Sequence, residues 1–108
     1  PWYVYGKNIS KNEIYVCQGV DNQLLYTENI SLNKIHWINK LNEFKNLDCL
    51  VQVRHRHKPI KCNIEFNEGF RVMFDEKIRG VALGQSAVFY KDNLCLGGGV
   101  IEERNNDL

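Results

Sequence analysis

The sequence predicts an all-β protein: a small antiparallel β-barrel preceded by a hairpin that belongs to a truncated neighbouring domain. Three observations carry this. Apolar residues recur mainly with a period of two, the runs are short and bounded by Asn, Asp and Gly clusters, and five or six such runs follow one another in a chain of 108 residues. Strands at that spacing favour closure, because closing a sheet removes its exposed edges. The length allows one ordinary domain, or a small one with a piece of another. Hydrophobic residues at 44% and charged residues at 25% exclude wholesale disorder. No apolar run approaches the ~20 residues a membrane-spanning helix needs.

The elements follow in order. Trp2 to Lys7 and Glu13 to Gln18 read as two strands joined by the turn Asn8 to Asn12. A polar stretch, Gly19 to Gln23, leads to the short apolar piece Leu24 to Tyr26. Ile30 to Ile38 carries Ile35 and Trp37 two apart and is strand-like, and Asn39 to Asn46 is a polar connection with room for a short helical turn. In Asp48 to His57 one face holds Cys49, Val51 and Val53 and the other Gln52, Arg54 and Arg56, giving a strand apolar on one side and basic on the other. Ile60 to Phe66 alternates cleanly, Asn67, Glu68 and Gly69 supply a turn, and Phe70 to Phe74 returns as a hairpin. Ser86 to Tyr90 and Leu94 to Glu103 flank a second hairpin turn at Lys91 to Asn93. The boundary falls near Thr27 to Asn29, dividing the chain into 1–27, a hairpin too small to be stable alone, and 28–108, the barrel. A start at Pro1 fits a fragment or removal of an initiator Met.

The net charge of +1 hides an uneven distribution. Residues 1–50 sum to zero, while 51–61 carry Arg54, Arg56, Lys58 and Lys61 with no acid and also hold His55 and His57. Guanidinium groups two apart on a strand face can grip successive phosphate oxygens. On pattern alone a solvated strand face is the simpler reading. The four cysteines, at 17, 49, 62 and 95, have no C-x-x-C spacing and no zinc-ribbon pattern, and the N-terminus carries no secretory signal. A cytoplasmic protein with reduced thiols is expected. His55 and His57 lack a third metal ligand placed by the sequence, and Gly97-Gly98-Gly99 lacks the Lys and Ser/Thr of a phosphate loop, so a close backbone approach or a strand bend is expected there. No catalytic residue, cofactor site or metal site is assigned.

Gly84-Gln85-Ser86-Ala87-Val88-Phe89-Tyr90, followed by Cys95-Leu96-Gly97-Gly98-Gly99-Val100-Ile101-Glu102, resembles the C-terminus of bacterial tRNA-specific 2-thiouridylases. The resemblance extends, in the family's order, through Pro1-Trp2-Tyr3-Val4, Gly6-Lys7, Gln18-Gly19, His36-Trp37, Cys49, Arg54-x-Arg56, Cys62 and Phe74-Asp75-Glu76. Departures lie at Val20, Gln23, His55 and Leu83, where relatives often carry His, Pro, Tyr and Pro. The resemblance implies that 1–27 ends the family's central domain and that 28–108 is its C-terminal barrel. It implies ATP-dependent 2-thiolation of the wobble uridine of tRNA with persulfide sulfur, ATP with Mg and a sulfur-donor protein serving the full-length enzyme. The nucleotide loop and both catalytic cysteines would lie N-terminal to this chain. The implied tRNA contacts are Arg54, His55 and Gln85, with Arg56 added from the polar strand face, and the implied partner is the anticodon stem-loop region. A free-standing RNA- or protein-binding barrel, or a structural cap without tRNA contact, are the competing readings.

Overall fold

The computed structural model describes residues 1–38, 46–54, 57–66 and 69–104. It is all-β, as expected. Strands β1 (Trp2–Asn8) and β2 (Glu13–Gln18) form a two-stranded sheet. A 3-10 turn, Gln23–Leu25, follows, in which the Asn22 side chain accepts from the Leu24 N–H and donates to the Gln18 carbonyl, both at 2.9 Å. Six strands, β3 (Tyr26–Trp37), β4 (Asn46–Gln52), β5 (Ile60–Glu65), β6 (Phe70–Arg79), β7 (Ser86–Lys91) and β8 (Leu94–Arg104), close into an antiparallel barrel in the order β3-β6-β5-β4-β7-β8. β3 pairs with both β6 and β8, which completes the ring.

Alternation explains the core. Leu47, Cys49 and Val51 of β4 face inward against Cys62 and Ile64 of β5, with Val72, Ala87, Phe89 and Ile101 completing the interior. Trp37, Phe66, Phe70 and Phe89 cluster with ring centroids 5.3–6.0 Å apart at tilted and edge-on angles, the geometry that aromatic quadrupoles favour. β3 changes parity: Ile30 and Leu32 are buried, and the later core residues are Ile35 and Trp37. A bulge causes the change, with Lys34 at φ 48° and a register shift against β8 between Asn33 and His36. At the β7–β8 hairpin, Asp92 and Asn93 both have positive φ, the requirement of a two-residue type I′ turn.

Three boundaries differ from the sequence expectation. β3 starts at Tyr26, four residues before Ile30. β6 runs on to Arg79, because a register shift against β3 carries Asp75, Glu76 and Lys77 at the surface and returns Ile78 to the core. β4 ends at Gln52, so Arg54 lies in a bend and not on a strand face. The suggested helical turn in Asn39 to Asn46 falls mostly outside the described residues.

The hairpin is tied to the barrel through arginines. Arg104 donates to the Leu24 carbonyl at 2.7 Å, to Thr27 Oγ1 at 3.0 Å and to the Val81 carbonyl at 3.5 Å. Burial pushes its guanidinium below the ordinary arginine value, with Cys17 and Tyr5 acting in the opposite sense. Arg79 donates to the Val20 carbonyl at 3.1 Å and lies 5.6 Å from the centroid of the Tyr3 ring. The other side of the same two strands exposes Trp2, Val4, Ile14 and Val16.

Candidate functional site

The residues singled out in the sequence separate into two groups. Arg54 and Gln85 are described; His55 and Arg56 lie outside the described residues. Val53 is buried and Arg54 exposed, so the chain leaves β4 with its apolar anchor still in the core. The segment then turns back on itself: the His57 N–H donates to the Arg54 carbonyl at 3.1 Å, and the Gln52 side chain donates to the His57 carbonyl at 2.9 Å. The Arg54 guanidinium reaches across to donate to the carbonyl of Gly80. Gly80 has φ +79°, and a Cβ there would stand 3.1 Å from Arg54 Nη2, so glycine serves both the backbone and the arginine lying over it. The Gly80 N–H in turn donates to the Leu25 carbonyl at 3.0 Å. Arg54 therefore braces the turn after β6 against the junction between hairpin and barrel.

Gln85 sits in the bend before β7. Its backbone is held on β8, the Gly84 N–H donating to the Ile101 carbonyl and the Ile101 N–H to the Gln85 carbonyl, each at 2.8 Å. Its side chain is exposed. The β4–β7 ladder ends with Gln52 opposite Val88, and Arg54 follows β4 at the end of this antiparallel pair where Gln85 precedes β7. A guanidinium and a primary amide thus share one end of the barrel, a cation for phosphate oxygens and a mixed donor and acceptor for a base edge or a ribose hydroxyl.

The basic strip does not act as a unit. Lys58 is exposed on the segment leading to β5. Lys61 instead lines an open cleft with Asp48, Asp75, Lys91 and Asp92, where three carboxylates accompany two ammonium groups. Sequence reasoning also passed over Arg79, Arg104 and Gly80. Nothing in their local pattern marks them, since their partners lie 23 to 80 positions away.

The glycine run is a packing device. A Cβ on Gly97 would run into the His36 carbonyl, one on Gly98 into the Ala87 carbonyl, and one on Gly99 would come within 2.9 Å of Ile35 Cγ1. With β3 on one side and β7 on the other, the run is packed between backbones. The described residues contain no cluster of three or more His, Cys, Asp or Glu suited to a metal. No helix among them is long and apolar enough to cross a membrane.

The profile of the aminomethyltransferase β-barrel domain family matches residues 27–101. Among individual proteins, the chain is 39% identical over 109 residues to the tRNA-specific 2-thiouridylase MnmA of Idiomarina loihiensis, covering 99% of this chain and 29% of that one. It is 41% identical to the protein of the same name from Pseudoalteromonas atlantica, covering 94% and 26%. With that of Haemophilus influenzae it shares 42% identity over 95% and 27%. The chain thus spans between a quarter and a third of the length of these relatives. With a closed six-stranded barrel, a glycine run buried between its strands and a profile match over most of its length, the chain belongs to the aminomethyltransferase β-barrel domain family, as the counterpart of the C-terminal part of tRNA-specific 2-thiouridylases.

Proposed function

We propose that this chain is the C-terminal, tRNA-docking portion of a tRNA-specific 2-thiouridylase, a sulfurtransferase of the cytoplasm that thiolates the wobble uridine at the expense of ATP, with persulfide sulfur from a donor protein. Residues 1–27 end the central domain and 28–108 form the barrel. The observation that carries the reading is identity of about 40% running through hairpin and barrel alike to proteins of that name. The exposed apolar side of β1 and β2 supports the division, since Trp2, Val4, Ile14 and Val16 suit a surface covered by preceding chain. Activation and sulfur transfer belong to that preceding part; the barrel holds the anticodon stem-loop region while the target base enters a distant pocket. Arg54, His55, Arg56 and Gln85 carry the docking.

One observation favours a second reading, a structural cap without RNA contact: the Arg54 guanidinium already serves the Gly80 carbonyl. Three variants separate the readings in the longer protein, by tRNA binding across a salt titration and by thermal midpoint. Docking predicts that Arg54→Ala weakens binding by ~1–3 kcal/mol and flattens the salt dependence by about one phosphate contact, whereas Arg54→Lys keeps the slope. Gln85→Ala should weaken binding with the slope unchanged. Variants that bind and thiolate tRNA like the parent, with only the midpoint lowered, would leave the cap reading standing.

A further inference from the structure

Cys49 of β4 and Cys62 of β5 are register partners, directly opposite one another, and their Sγ atoms are 3.8 Å apart. Directly opposed residues of an antiparallel pair have Cα atoms about 4.5–5.5 Å apart, inside the range a disulfide spans. The approach from 3.8 Å to a bond of about 2.05 Å is within reach of side-chain rotation. We propose that Cys49 and Cys62 form a reversible oxidation site, closing a cross-strand disulfide by exchange with a small-molecule disulfide.

Both thiols are buried in the core, Cys49 at 9% and Cys62 at 2% exposure, so the approach to them is through an adjoining cleft. Both line the open cleft, of about 470 Å³, that also holds Lys61, Lys91, Asp48 and Asp92. A tripeptide-sized disulfide fits such a space, and a folded protein domain does not. The two thiols are inequivalent. Cys62 hydrogen-bonds Cys49, and that bond, helped by Lys91, lowers the Cys49 thiol from its ordinary value against the opposing effects of burial and Asp48. The same bond, with burial, raises Cys62. Cys49, the more exposed of the two thiols at 9% against 2%, attacks, and Cys62 resolves.

The chemistry balances in two steps. The Cys49 thiolate attacks one sulfur of the incoming disulfide, forming a mixed disulfide and expelling one thiolate, which takes up a proton. Cys62 then loses its proton, attacks Cys49 Sγ and expels the second thiolate. Two protein thiols are oxidised, and one small disulfide is reduced to two thiols. The new bond staples β4 to β5 at the root of the segment that carries Arg54, His57 and Lys58.

Oxidised glutathione is the probe, and Cys95→Ser the protein that removes the exposed thiol, leaving three of the four cysteines. Expected is a fall from three free thiols to one, a mass loss of about 2 Da without adduct, a cross-linked peptide joining Cys49 to Cys62, and full recovery with dithiothreitol. In Cys62→Ser, glutathione should remain on Cys49 as a stable mixed disulfide. The proposal is overturned if the native chain takes glutathione on Cys95 while Cys49 and Cys62 both remain alkylatable. A persistent adduct on Cys49 in Cys95→Ser, with no closure, overturns it equally.

Discussion

Replacing Arg104 with Met tests whether hairpin and barrel are one cooperative unit. The substitution preserves much of the aliphatic stem and removes three hydrogen bonds, to the Leu24 carbonyl, Thr27 Oγ1 and the Val81 carbonyl. The first two are short, and a hydrogen bond from a charged donor contributes ~1.5–3 kcal/mol; the third, at 3.5 Å, adds little. Thr27 is fully buried, so its hydroxyl has no water to turn to, whereas Leu24 is exposed and its carbonyl can rehydrate. Removing a half-buried charge gives back part of the loss, since burial already works against this guanidinium. The net expectation is a destabilisation of ~2–4 kcal/mol, a large share of the ~5–15 kcal/mol that holds a small domain folded. Urea unfolding followed by the fluorescence of Trp2 and Trp37 reads the total. Amide exchange reads its distribution, and protection should fall first across Trp2–Asn8 and Glu13–Gln18, with the barrel strands following. A loss under about 0.5 kcal/mol, within the range of an ordinary surface substitution, with hairpin amides as protected as in the parent, would refute the argument.

Other consequences are as direct. Gly98→Ala drives a Cβ into the Ala87 carbonyl and should cost at least about 3 kcal/mol; a variant with a parental urea midpoint would contradict the packing described. Asn93→Val forces a β-branched residue to adopt φ 67° and should cost ~1–2 kcal/mol, while Asn93→Gly should be close to neutral by the same assay. Alkylation of Cys49 should set in at lower pH than for an ordinary thiol, and the onset should move up in Cys62→Ala, which removes the hydrogen-bond partner. An unchanged profile would show that Cys62 does not supply that bond.

The alternation in 60–66 and 70–74 was legible because nothing interrupts it: Cys62, Ile64 and Val72 all face the core. Reading failed where a local irregularity resets the parity. Asp75-Glu76-Lys77 looked like the end of a strand, yet a register shift lets three polar residues pass at the surface before Ile78 returns inward. Arg54 shows a different limit. Its place after an inward Val53 was readable, but its partner Gly80 lies 26 positions on, and no periodicity encodes a contact between two loops. Gly97 to Gly99 stood between these cases. The sequence indicated close approach, and the backbone that approaches, from β3 on one side and β7 on the other, is set by tertiary pairing alone.

The bulge at Lys34 bears on how chain length can drift in this fold. Along β3 the buried positions run 30 and 32 and then 35 and 37, so one supernumerary residue separates two otherwise matched halves. Excising Lys34 would bring Ile35 and Trp37 into the phase of Ile30 and Leu32 and join the register against β8 from Leu32 to Trp37, across which Asn33 faces Val100 and His36 faces Gly98, while the separate shift between Ser31 and Leu32 would stay. A single-codon gain or loss at this point is therefore absorbed by backbone twist. A codon inserted between Ile30 and Leu32 would turn out every apolar side chain on one side of the insertion.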